Sequence, residues 1–400
     1  MENFMLRKCG AMLLWIFVLI ATLDVCSAHS FMVKRSQYLM GTFVFVTGVA
    51  PDEEVAQKAV AAGLTEIRLL EELLSTWIDN SELSRVNAAA GREPVQVSPE
   101  TLEVLDRSLE MARLTNGGFN IAVGPAVDAW NVSQEGRIPS VDELERFRPL
   151  IDLSQIQLNR EAGTVYLRRP GMKIDIGGIG KGFAADLAAE VMKAMGATAG
   201  VVALSGDIKT FGLMPDGQRF LFGIEHPRKQ DSLLARLELE DEAVSTAGDY
   251  QLYFEQDGIR YHHILDPHTL KPGRLCQSVT VVASEGVVAD GLDTGIFVMG
   301  PEKGIQLVES LPAVEAVIVD SQGYVSVSSG LKGRLEMIVP ARSHLEPPTT
   351  APVEGSTKSF TTLPSSVTTL TSHTKTSSFS SSSASIGVPG TLFVATLSAP

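Results

Sequence analysis

The chain has 400 residues, 44% of them apolar, and a formal net charge of −14. That length supports one large domain or two intimately packed ones. The acidic balance, with no basic stripe beyond short pairs such as Arg168–Arg169 and Arg228–Lys229, excludes a nucleic-acid or other polyanion binder, so any phosphate ligand must be met locally.

At the N-terminus, Arg7 and Lys8 precede the apolar run 11–23 and then Cys26–Ser27–Ala28. Charged region, hydrophobic region and small-residue cleavage site make residues 1–28 a predicted secretory signal peptide. The run is too short for a comfortable membrane span, so an exported protein is expected. Asp24 and Val25 are poor neighbours for lipidation of Cys26. Of the three cysteines, signal removal leaves Cys276, and one cysteine forms no internal disulfide.

Residues 38–48 alternate Leu39, Gly41 and Phe43 with Met40, Thr42 and Val44, which predicts a strand. It feeds a helix over 51–74, where Val55, Ala59, Leu64, Ile67, Leu70 and Leu74 recur at helical spacing. A second helix is predicted over 99–114, with Ser98 as N-cap and Gly117–Gly118 as its stop. A third spans 177–195 and closes on Gly196. Strands follow in succession at 200–204, 219–224, 233–239, 250–254 and 281–283. A helix over 301–311 and short strands at 316–319 and 324–327 complete the ordered part. Helices cluster early and strands late, which favours an α+β fold with mixed or antiparallel sheets over a doubly wound parallel sheet. Beyond 341 the composition turns to Ser, Thr and Pro without apolar period, so residues 342–400 are expected to be a disordered tail.

Four stretches suggest chemistry. Asp290–Gly291–Leu292–Asp293–Thr294 places Asp290 and Thr294 on one helical face, at i and i+4, with Asp293 beside them. Three oxygens so placed suit a hard cation such as Mg²⁺, although Asp and Thr at a helix start also serve as caps. Asp175 to Lys181 runs strand, glycines, lysine, helix, which suits a phosphate at a helix N-terminus. It lacks the Walker and G-x-G-x-x-G spacings, and an ordinary glycine-rich turn fits equally. His262 and His263 point to opposite faces of any strand, so only one can serve a given site as a base; either also reads as a packed or solvated strand histidine. Ser205–Gly206–Asp207 and 245–250 are small-residue turns suited to close ligand approach.

Taken in order, these segments resemble the FAD:protein FMN transferases, the ApbE family. The resemblance rests on Met40–Gly41–Thr42, Leu74–Ser75–Thr76–Trp77, 81–87, Gly118–Phe119–Asn120 with Val123–Gly124–Pro125, 175–182, Ser205–Gly206–Asp207, 245–250, 262–267 and 290–295, within a catalytic domain at 33–341. It implies an ApbE-like (T-fold-like) architecture and an exported Mg²⁺ enzyme that cleaves FAD, attaches FMN through its phosphate to a Thr or Ser of an acceptor protein, and releases AMP. The acceptors the resemblance implies are those typical of the family, subunits of membrane redox complexes. The resemblance further implies that Gly178, Asp290, Asp293 and Thr294 hold Mg²⁺. It places Met40, Trp77, Gly118, Phe119, Asn120, Asp175, Lys181 and Ile264 around FAD, and makes His263 the base. Trp77 stands where many members carry Tyr, and Asn120 where many carry Asp. The implied location is the periplasm, with membrane association confined at most to the N-terminus. Two alternatives share the same site: an FAD pyrophosphatase giving FMN and AMP, and a periplasmic flavin-binding protein without chemistry.

Overall fold

The computed structural model describes residues 30–339 and 392–394. The predicted signal peptide, and the tail apart from 392–394, lie outside the described residues. Eight strands form the central sheet: β1 (Phe31–Leu39), β2 (Thr42–Ala50), β3 (Ala199–Leu204), β4 (Asp207–Phe211), β5 (Ala243–Gly248), β6 (Cys276–Ala283), β7 (Val314–Asp320) and β8 (Val325–Val327). Their spatial order follows the chain order. Every neighbouring pair is antiparallel.

Alternation along these strands separates two cores, because successive side chains point to opposite faces. Val202 and Leu204 of β3, Val279 and Val281 of β6, and Ala316 and Ile318 of β7 face the helices. Their neighbours Val201, Val282, Val317 and Val319 face a smaller sheet that contributes Phe220, Phe222, Leu237 and Leu239. That sheet comprises Leu335–Met337, Leu233–Leu239, Phe220–Glu225 and Leu392–Val394. The last of these belongs to the tail, where composition predicts no strand, and it pairs in parallel with Phe220–Glu225. The result is the α+β class expected, with antiparallel sheets and helices on one face of the larger one.

The longer helices are α1 (Glu53–Leu74), α2 (Pro99–Leu114), α3 (Gly180–Ala194), α4 (Gly286–Met299) and α5 (Pro301–Ser310). Asp52 caps α1 by accepting from Glu54 N and Val55 N, and Ser98 caps α2 by accepting from Thr101 N, with Pro99 in the first turn. Among the described residues no helix is long and apolar enough to cross a membrane.

Boundaries differ from the sequence expectation at several places, three of which bear on the site. The strand predicted over 38–48 breaks at Met40–Gly41, where φ of 51° and 71° makes a two-residue hairpin turn between β1 and β2. The alternation carries straight through that turn, so periodicity alone hides it. The strand predicted over 250–254 lies instead at Tyr253–Gln256. Helix α4 begins at Gly286, so Asp290 sits inside the helix and the capping interpretation of its carboxylate is wrong. The cap comes from α3, where Asp186 accepts from Gly286 N at 2.7 Å and Val287 N at 2.9 Å.

Glycines bring α2, α3 and α4 close together. A Cβ on Gly182 would lie 2.1 Å from the Gly286 carbonyl oxygen, one on Gly291 2.5 Å from Met111, and one on Gly295 2.4 Å from Thr115. The first obstacle is backbone and cannot rotate aside. Gly182→Ala is therefore expected to force α3 and α4 apart and to lower stability by about 1–3 kcal/mol, as overpacking does. Denaturant unfolding checks this, and an unchanged midpoint would refute the close crossing.

Candidate active site

A cavity of about 400 Å³ opens where the β1–β2 turn, the β3–β4 turn, the N-terminus of α3 and the middle of α4 meet. Its wall contains Met40, Trp77, Gly118, Phe119, Asn120, Asp175, Gly178, Lys181, His263, Ile264, Asp290, Asp293 and Thr294. Each candidate residue from the sequence thus reaches one space, although they span 255 positions from Met40 to Thr294 inclusive.

Each is held there by local structure. The Met40 N–H donates to Glu71 of α1 at 2.6 Å, which fixes the left-handed turn residue above the cavity. Trp77 is 71% exposed and presents an aromatic face at the rim. A Cβ on Gly118 would lie 2.8 Å from the Gly295 carbonyl oxygen, so this backbone runs directly against α4. Phe119 N donates to Thr115 Oγ1 at 3.0 Å, and Asn120 caps the turn 121–123 by accepting from Ala122 N at 2.8 Å. Asp175 accepts from Gly177 N at 2.8 Å. Burial pushes the Asp175 carboxyl above its usual range.

The charged centre combines α3, α4 and the two strands beneath them. Asp207, Asp290 and Asp293 bring carboxylate oxygens within 4.8 Å of one another, and all three are buried. Lys181 pairs with Asp207. Asp290 Oδ2 accepts from Gly182 N at 2.9 Å, satisfying one free donor of the first turn of α3. Asp293 Oδ2 accepts from Ser245 Oγ at 2.6 Å, and its other oxygen, Oδ1, is buried with no hydrogen-bond partner. Thr294 stands against Gly178, where a Cβ would come within 2.8 Å of Thr294 Oγ1.

Three carboxylates and one ammonium leave negative charge uncompensated in a buried place. Burial, then repulsion from Asp207, lifts Asp290 to about 7, and burial with repulsion from Asp290 and Asp207 lifts Asp293 well above the carboxylate range. Burial disfavours the Lys181 ammonium, yet Asp207, Asp290 and Asp293 together hold it above its ordinary value. The orphaned Asp293 oxygen, the charge deficit and the all-oxygen donor set fit a hard divalent cation.

The two histidines take different roles, His262 ending the strand Ile259–His262 and His263 lying in the bend that follows it. His262 is 2% exposed; its Nε2 donates to Gly273 O at 2.7 Å and its Nδ1 accepts from Ile264 N at 3.3 Å, so both ring nitrogens are spent on the fold. His263 lines the cavity. Its Nδ1 donates to Leu252 O at 3.3 Å, leaving Nε2 unprotonated. Burial, helped by His262, lowers His263 to about 4, which keeps it neutral at pH 7. Cys276 is 3% exposed and burial pushes its thiol up to about 12, which removes it as a nucleophile.

The sequence places Asp207 and Ser245 in small-residue turns with no link to the charged cluster, whereas they start β4 and lie within β5, in contact with that cluster. They come from separate strands, so no local spacing links them to α4. Trp130, Val127 and Val132 also line the cavity, and only tertiary folding places them there.

Residues 40–318 match the ApbE family. FAD:protein FMN transferase of Vibrio cholerae serotype O1 is 37% identical over 279 residues, covering 67% of this chain and 83% of that protein. The FAD:protein FMN transferase of Treponema pallidum is 33% identical over 323 residues, covering 76% of this chain and 89% of that protein. Among solved structures, the ApbE protein of Thermotoga maritima has a TM-score of 0.70 at 29% identity, over 76% of this chain and 99% of that one. Flavin transferase ApbE from Vibrio cholerae has a TM-score of 0.67 at 28% identity, over 76% of this chain and all of that one. Sequence and fold agree over most of both partners in each comparison, and the chain belongs to the ApbE family.

Proposed function

We propose that this chain is a Mg²⁺-dependent flavin transferase that moves FMN from FAD to a Thr or Ser hydroxyl of an acceptor protein and releases AMP. The observation that carries the reading is the meeting, in one cavity, of an incompletely satisfied carboxylate cluster, a lysine and a neutral histidine. The names borne by its relatives supply FAD as the substrate and a protein as the acceptor.

In this reading Asp290, Asp293, Thr294 and the Gly178 carbonyl hold Mg²⁺. When bound, the ion neutralises charge on the transferring phosphate and fixes the reacting centre. Lys181 adds positive charge beside the same phosphates. Met40, Trp77, Phe119 and Ile264 give apolar surface to the ring systems, while Asn120 and Asp175 supply polar contacts at the wall. His263 Nε2 takes the proton of the acceptor hydroxyl as that oxygen attacks the FMN phosphorus. The bond from that phosphorus to the bridging oxygen breaks, and AMP leaves with the bridging oxygen.

The acceptor class we infer is an exported or membrane redox protein. The signal-like pattern of residues 1–28 supports a location outside the cytoplasm in this reading, in the periplasm and attached to the inner membrane, if at all, through the N-terminus.

One incubation tests the proposal: mature protein, FAD, Mg²⁺ and a candidate acceptor, followed by mass spectrometry of the acceptor and nucleotide analysis. An acceptor heavier by one FMN less water, with AMP released in equal amount, is expected. Free FMN and AMP without acceptor labelling would replace transfer with hydrolysis. Unchanged FAD against every acceptor tried would leave a binder.

A further inference from the structure

We propose that Ser245 and Asp207 are positioning residues for the reaction centre: Ser245 anchors one oxygen of Asp293 so that the other faces the cation, and Asp207 anchors Ser245 and Lys181 together. The proposal rests on the flavin-transfer reading for its chemistry and on hydrogen bonding for its geometry.

Ser245 lies in β5 and Asp207 at the start of β4, both nearly fully buried. The Ser245 hydroxyl lies between Asp293 Oδ2, at 2.6 Å, and Asp207 Oδ1, and shares its one proton between the two acceptors. Asp207 Oδ2 is taken by Lys181 Nζ. Both oxygens of Asp207 are therefore engaged by protein groups, whereas Asp293 keeps Oδ1 without a partner. Of the three clustered carboxylates, Asp207 is thus fitted to orient its neighbours, and Asp293 to receive a ligand.

A carboxylate on a helix rotates about its side-chain torsions unless something holds it. Without Ser245, Asp293 is free to turn Oδ1 toward Lys181 and satisfy it there. The chain Lys181–Asp207–Ser245–Asp293 prevents this, because Asp207 holds the ammonium on the strand side. Groups that orient metal ligands in this way change metal affinity by about 10–100-fold when removed.

The test measures divalent-cation binding directly. Mn²⁺ is titrated into FAD-free protein and free Mn²⁺ is read by electron paramagnetic resonance, with the melting temperature in EDTA recorded for each variant. Ser245→Ala is expected to weaken Mn²⁺ binding by about 10–100-fold, and Ser245→Thr, which keeps the hydroxyl, to restore most of it. Asp207→Asn preserves shape and guards against a folding failure in Ser245→Ala. It releases Lys181 to compete with the cation, so Mn²⁺ binding falls here too. In transfer assays, the Mg²⁺ needed for half-maximal rate should rise more than the KM for FAD.

Mn²⁺ binding unchanged in both Ser245→Ala and Asp207→Asn, with only the melting temperature lowered, would reduce these residues to structural roles. A parent protein that binds no Mn²⁺ would overturn the proposal as well. If the parent transfers FMN but Ser245→Ala binds Mn²⁺ normally, positioning fails and flavin transfer stands. If Ser245→Ala loses Mn²⁺ but the parent labels no acceptor, positioning stands and flavin transfer fails.

Discussion

Asp290→Ala is expected to abolish Mg²⁺-dependent transfer, with kcat/KM falling by about a thousandfold or more, since a bound metal supplies several kcal/mol of transition-state stabilisation. The carboxylate is buried in the second turn of α4 and reaches back to Gly182 N at the start of α3. It therefore joins the two helices as well as facing the cavity, and alanine would disturb both functions. Asp290→Asn separates them. The amide oxygen still accepts from Gly182 N, so the helix contact survives, but the negative charge needed by a cation is gone. Transfer should be lost in both variants, while the thermal midpoint in EDTA should fall only in Asp290→Ala. In the metal-free protein Asp290→Asn is expected to be no less stable than the parent, because it relieves the repulsion among Asp207, Asp290 and Asp293 that lifts Asp290 to about 7. Near-normal transfer by Asp290→Asn at low Mg²⁺ would remove this residue from the metal site.

That cluster also shows how far the sequence could be read. Asp290, Asp293 and Thr294 fall on one helical face by spacing alone, and the structure keeps them there. Whether the carboxylates capped a helix or served a cavity could not be read locally, because the start of α4 is set from outside. Gly286 has no capping side chain before it in sequence, and Asp186 of α3 supplies the cap instead. The helices α1 and α2 were legible for the opposite reason: Asp52 and Ser98 are caps adjacent in sequence to the turns they close. The Met40–Gly41 turn was hidden by alternation that continues across it. Asp207 and Ser245 were hidden by topology, since β4 and β5 are brought to α4 by the sheet and not by nearness in sequence.

The histidine pair carries the second large effect. His263→Ala is expected to slow transfer by about 10²–10⁴-fold, the range a positioned general base contributes, while FAD still binds. His262→Ala should act differently. Its ring donates to Gly273 O and packs edge-on against Phe297 at 5.4 Å, so its loss strands a buried carbonyl at about 1–3 kcal/mol and lowers stability more than turnover. The pH profile adds a check on the same assignment. A base works only when neutral, and His263 is lowered to about 4 by burial, then by His262. Its neutral form therefore persists well below the pH at which an ordinary histidine would protonate, and the acid limb of kcat/KM attributable to His263 should fall near pH 4 instead of near 6.5. Replacing His263 should remove that limb along with most of the rate. If His262→Ala proves to be the change that stops transfer in a folded protein, the two rings have been assigned to the wrong faces. The Leu252 carbonyl would then be orienting a bystander.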